Sequence, residues 1–188
     1  MAVRSSRGRR RAAALLALGA LAVGVLTGCS GRPGAAAVVD GQQISVADLQ
    51  TATSELAPYL QNVSQSSVLM VLIAAPSFDR AASKAGVGVS RQQAEDLLDK
   101  AAQSAVAAGK APVRTAGFSD AAVEVARFTL LQQNIQALPN GAAVVAGITK
   151  ELIALHADVN PRYGVVDFTA GTITPPSYPW LVATPAAG

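Results

Sequence analysis

The sequence predicts a mainly α fold: about five helices carrying a small antiparallel sheet built from an N-terminal hairpin and one C-terminal strand. Three observations predict it. Apolar residues make up 51% of the chain but aromatic ones only 4%. Much of the difference is Ala, which enters a helix without losing side-chain entropy. Apolar residues also recur at three- and four-residue spacing through most of the chain beyond residue 45, and several of these stripes are headed by a Ser, a preferred N-cap. Finally, short β-prone pieces stand near the two ends, "AAVVDGQQIS" (36–45) and "YGVVDF" (163–168).

The amino terminus reads as an address. Residues 1–11, "MAVRSSRGRRR", are cationic, and the fifteen that follow, "AAALLALGALAVGVL", are uncharged and apolar. That length suits a secretory h-region better than a membrane span. "LTGC", Leu26 to Cys29, comes next and resembles the lipobox of bacterial lipoproteins, in which the Cys is acylated and becomes the first mature residue. The resemblance covers only the leader and implies a signal peptide over 1–28 and lipidation at Cys29; beyond it the chain reads as a tether over 29–35, a helical domain over 36–170 and a Pro-rich tail over 171–188. The resemblance also implies a cell-membrane location, lipid-anchored on the extracytoplasmic face. Two or more acyl chains hold a protein stably at a bilayer, whereas one holds it marginally. "RGRRRA" leaves twin-arginine export open beside general secretion. Cys29 is the sole Cys, so no intramolecular disulfide can form.

Charge excludes a nucleic-acid partner. The formal charge is +3, but five of the fifteen basic residues lie in the first eleven positions, while all twelve acidic ones lie at or beyond Asp40. Cleavage before Cys29 leaves ten basic against twelve acidic side chains, a net charge of −2, which offers phosphates no attraction.

Along the mature chain, Asp40-Gly41 predicts a tight hairpin turn, because both central residues of such a turn need positive φ. Ser45 with Asp48 resembles a capping box and opens a first helix. Its stripe is Val46, Leu49, Thr53, Leu56, Leu60 and Val63, with a kink or split expected at Pro58. "VLMVLIAAP" (68–76) is apolar all round, as in a helix buried at the centre of a domain, and Phe78, Ala81, Ala82 and Ala85 carry the stripe to Gly86, a plausible C-cap. Ser90 and Gln93 form a second capping box, ahead of a small-residue face on Ala94, Leu97, Ala101, Ala105 and Ala108. Ser119 caps a fourth helix with Val125, Phe128, Leu131, Ile135 and Leu138 on one face, and "PNG" (139–141) stops it. A fifth is expected from about Ala142 to Ala157, its stripe Val145, Ile148, Leu152 and Leu155. Asn160-Pro161 then forces extended backbone on the preceding residue. "YGVVDF" is expected to pair with the N-terminal hairpin, so that the chain closes on its own start.

"AVVDGQQIS" and "ADVNPRYGVVD" together resemble the two ends of the SurA-type N-terminal domain, the helical chaperone-like portion of parvulin-associated foldases. The resemblance covers most of the mature chain and implies a scaffold that binds unfolded or exported polypeptides. It makes Asn160, Pro161, Arg162, Tyr163 and Gly164 a structural end motif. It also marks a departure, since only a few residues stand between the fourth and fifth helices, where those foldases insert an isomerase domain of about ninety residues. Prolyl isomerase activity is therefore not expected.

No residue set implies catalysis, a cofactor or a metal. His156, the only His, has no accompanying carboxylate-nucleophile pair or further ligands, and "EDLLDK" (95–100) reads as a solvated helix face. Arg162 is expected to pair with a carboxylate at the sheet, and Gly164 to supply a backbone conformation denied to other residues. The functional expectation is a membrane-anchored lipoprotein that binds extended polypeptide without chemistry. The alternative is an envelope scaffold or adaptor lipoprotein binding one folded partner.

Overall fold

A computed structural model describes residues 32–174; the expected signal peptide, Cys29 and the segment 175–188 lie outside them. The fold is mainly helical, with five helices, a three-stranded antiparallel sheet and a separate two-stranded one among the described residues. Strands β1 (Ala35–Val39) and β2 (Gln42–Ser45) form the expected hairpin. Asp40 at φ 47° and Gly41 at φ 82° make its turn, the conformation that Asp-Gly accepts with least strain. The strand that closes the sheet is β3, Ala157–Val159, giving the order β2-β1-β3.

The two ends do meet, but not through the predicted strand. Ala37 lies opposite Val159, Val38 opposite Asp158 and Val39 opposite Ala157, whereas "VVD" forms β4 (Val165–Asp167) and pairs with β5 (Thr172–Thr174). Pro161 disfavours helix at Asn160, the residue before it, but α5 (Gly141–Ala154) already ends three residues short of the expected Ala157, with Leu155 extended at φ −67° and ψ 140°. The freed "ADV" is what reaches β1. Because Pro161 has no N–H to continue that ladder, pairing stops at Asn160 and the chain turns away. β5 also carries the folded body past residue 170, the expected end of the helical domain.

Each of four helices begins at a Ser whose hydroxyl accepts a backbone N–H: Ser45 for α1 (Val46–Leu56), Ser64 for α2 (Gln65–Lys84), Ser90 for α3 (Arg91–Ala107) and Ser119 for α4 (Asp120–Gln136). Such a cap contributes about 1 kcal/mol. The Ser90 box is reciprocal, with the Ser90 N–H donating to Gln93 Oε1 at 2.8 Å. Asp48 instead accepts the Ser45 hydroxyl at 2.7 Å, so the first box is only half made. Of the kink or split expected at Pro58, the structure shows an interruption: α1 stops at Leu56, two residues before Pro58, which has no N–H to extend its ladder, and helix resumes only at Gln65, so Leu60 and Val63 do not continue its stripe. α2 passes through its own Pro76.

α2 is the axis of the interior. One side packs into a core with Leu49, Leu56 and Ala52 of α1, Leu98 of α3 and Ala122, Val123 and Ala126 of α4, contributing Leu69 and Ile73. Tyr163 and Ile173 close this core from the C-terminal end. The other side, with Ala74, Phe78 and Ala82, meets Leu131 and Ile135 of α4, Ile148 and Leu152 of α5, and Val89.

Candidate functional site: an uncharged apolar groove

The end motif is a clasp. Asn160 donates its backbone N–H to the Ala36 carbonyl at 2.9 Å and its side-chain Nδ2 to the Ala35 carbonyl at 3.2 Å. Its Oδ1 accepts the Arg162 N–H at 3.2 Å and its carbonyl accepts the Tyr163 N–H at 2.9 Å, the local turn that Asn favours. One residue thus holds β1 and reverses the chain. Pro161 lies exposed at the turn and its carbonyl accepts the Gly164 N–H at 3.2 Å.

The reversal drives Tyr163 into the core, where its hydroxyl is buried with no hydrogen-bond partner. Gly164 has φ 116°, and a Cβ there would collide with the Thr174 carbonyl. Only glycine allows β4 and β5 this approach. Arg162 has no carboxylate partner among the described residues. Its guanidinium stands 5.2 Å from the centre of the Tyr163 ring, so stacking replaces the expected ion pair.

What the clasp positions is the β4-β5 hairpin, and the hairpin is one wall of a groove of about 580 Å³. α2 supplies the opposite wall through Met70, Val71, Ala74 and Phe78, with Ser64, Ser66 and Ser67 at its N-terminal end. α4 contributes Phe128 and Gln132, and α5 contributes Ile148, Thr149 and Leu152. Phe168 and the run Thr169 to Ile173 complete it. Phe78 and Phe128 meet edge to face, ring centres 4.6 Å apart, an arrangement worth about 0.5–1.5 kcal/mol beyond its buried area. No charged side chain lines the groove among the described residues. The volume lies within the roughly 300–1,000 Å³ of sites that enclose a ligand.

Ion pairs tie the helices to one another. Glu151 on α5 pairs with Arg80 on α2, and the same carboxylate accepts the buried Ser77 hydroxyl at 3.3 Å. The Arg80 hydrogen bond holds the Glu151 carboxyl below its ordinary range, against the opposing effect of burial. A second brace joins α1 to α4. Burial pushes the Glu55 carboxyl up, but the Ser119 backbone and side-chain hydrogen bonds and Arg114 together prevail and lower it. Arg114 lies 3.1 Å from Glu55 and 4.0 Å from the centre of the Phe118 ring. Arg127 on α4 pairs with Asp79 on α2 and donates to the Val89 carbonyl at 2.8 Å, tying down the α2–α3 loop.

His156 is exposed beyond the end of α5, and its carbonyl accepts the Asp40 N–H at 3.1 Å. No cluster of His, Cys, Asp and Glu able to hold a metal occurs among the described residues, and none of the described helices is long and apolar enough to cross a membrane. The groove residues were not singled out by sequence. "VLMVLIAAP" reads as buried on every side, and nothing in its spacing separates Leu69 and Ile73 from Met70, Val71 and Ala74. The separating signal is "GTIT" (171–174), a strand too short to be read alone. No family model, curated protein or solved structure matches the chain.

Proposed function

We propose that the protein is a membrane-anchored extracytoplasmic lipoprotein whose helical domain holds extended, uncharged polypeptide segments in the groove between α2, α4, α5 and the β4-β5 hairpin, without chemistry. The observation that carries this reading is the groove's lining, which combines apolar side chains with Ser, Thr and Gln and has no charged side chain among the described residues. Such a surface gains from burying aliphatic and aromatic side chains at about 25 cal/mol per Å². Its hydroxyls and amide can serve the backbone polar groups of an extended chain, which must find partners once out of water. A charged ligand would find no counter-ion there. The leader and Cys29 support the membrane address, and the resemblance of the two end segments to SurA-type domains supports the polypeptide class.

The test uses acyl-free protein (residues 30–188) with an unfolded client. The expected results are suppression of client aggregation and cross-links to the groove walls. Val71→Lys, which places a charge on the half-buried α2 wall, is expected to weaken client binding at least tenfold while the protein stays folded. Failure of both assays removes the polypeptide-binding reading. Capture of one stoichiometric folded partner instead of a range of unfolded ones favours the adaptor. For the address, radiolabelled palmitate should be incorporated in cells by the natural sequence and not by Cys29→Ser.

A further inference from the structure

We infer that residues 175–188, "PPSYPWLVATPAAG", occupy the groove in cis and compete with its clients, with Trp180 as the anchor. The inference rests on the groove reading above. Position is the first argument. Thr172 and Ile173 line the groove, β5 ends at Thr174, and the segment begins at the next residue, so it starts at the groove's own wall.

Chemistry is the second. The segment contains no charged residue and carries Tyr178, Trp180, Leu181 and Val182, which matches a lining with no charge to satisfy among the described residues. An aromatic side chain of this size brings a large apolar area at little conformational cost.

Reach is the third. Pro175, Pro176 and Pro179 each set φ near −65° and favour an extended backbone rising about 3.1 Å per residue. Trp180, six residues past Thr174, can therefore stand up to about 19 Å from it. On α2 the lining runs from Ser64 to Phe78, about 21 Å of helix at 1.5 Å per residue. Reach and groove match, and a prestiffened segment loses less freedom on docking.

A segment joined directly to its site acts at an effective concentration in the millimolar range. Clients then bind only the fraction of molecules whose groove is vacant, and their apparent affinity falls by that fraction. The groove would thus select long or strongly apolar segments over weak ones.

Trp180 is the only Trp in the chain, so intrinsic fluorescence reads its surroundings directly. In the acyl-free protein its emission is expected to be blue-shifted and shielded from acrylamide, and Val71→Lys should shift it to the red and expose it. Deleting 175–188 is expected to tighten binding of a fluorescein-labelled peptide, "PPSYPFLVATPAAG", at least fivefold. Trp180→Ala, which keeps the chain length, should do the same.

A Trp180 exposed in the unmodified protein overturns the inference, as does shielding that Val71→Lys leaves intact or that disappears on dilution, the last pointing to a neighbouring copy. Equal peptide affinity with and without the segment overturns it too, yet leaves the groove reading standing. Conversely, shielding that Val71→Lys abolishes, in a protein that binds no client even after the deletion, supports the cis contact and removes the client reading.

Discussion

The two sides of α2 make unlike interiors. Leu69 is fully buried and Ile73 nearly so at 1% exposure, in a core sealed by α1, α3, α4, β1 and Tyr163. Phe78, 8% exposed, and the half-buried Val71 look instead into a groove that α5 and the β4-β5 hairpin line without filling, and Met70, a member of the sealed core, also reaches its lining. The sealed side is closed by a strand that returns to the chain's beginning, with Asn160 fastening backbone 125 residues away. The open side is bordered by three-residue strands whose one buried side chain is Ile173. The first arrangement puts stability where packing is complete, and the second leaves apolar surface available to an occupant.

The largest expected effect separates residues two apart on one helix. Leu69→Ala leaves a cavity in the sealed core and is expected to cost about 2–5 kcal/mol in urea unfolding. Val71→Ala, on the groove side, is expected to cost less than about 1 kcal/mol. Equal losses would break the comparison.

Gly164→Ala comes next. At φ 116° with the Thr174 carbonyl in the way, an added methyl is expected to cost about 1–3 kcal/mol. Its signature is regional. Amide exchange should speed up in β4 and β5, and less in β1 and β2, because Asn160 still fastens the sheet.

Acid sharpens the contrast through the two braces. Glu55 and Glu151 both have carboxyls lowered on folding from an ordinary 4.5. Their contribution is therefore complete above that value and disappears as pH falls through the lower folded-state values. Tm measured against pH is expected to decline below about 4.5. The Glu55 side chain is 18% exposed and that of Glu151 40%, so Glu55→Gln should flatten the decline more, solvent screening having weakened the other pair.

The smallest effect is a gain. Tyr163 inserts a hydroxyl with no hydrogen-bond partner into the sealed core, and a buried unsatisfied group is unfavourable. Tyr163→Phe is expected to leave stability unchanged or raise it by up to about 1 kcal/mol in thermal unfolding.

The sealed half was largely legible in the sequence. Ser90-Gln93, Ser119, Asp40-Gly41 and the stripe on Leu49 and Leu56 are local signals whose structural outcome is also local. The closing strand was misplaced because "YGVVDF" has the higher β-propensity, while "ADV" becomes a strand by pairing with β1. Propensity gave way to that tertiary pairing. The groove was not legible because it depends on what is not packed against Met70 and Val71, and an unfilled face leaves the same apolar pattern as a filled one. The nearest sequence hint was the pair of short strands around "TAG", which cannot cover three helices.

Amide hydrogen exchange of the acyl-free protein, with and without a saturating unfolded client, tests the central claim most directly. The account predicts slowed exchange along 64–78, 148–152 and 168–173, with 49–56 and 94–98 unchanged. No protection, or protection centred on the exposed face of α3, would contradict it.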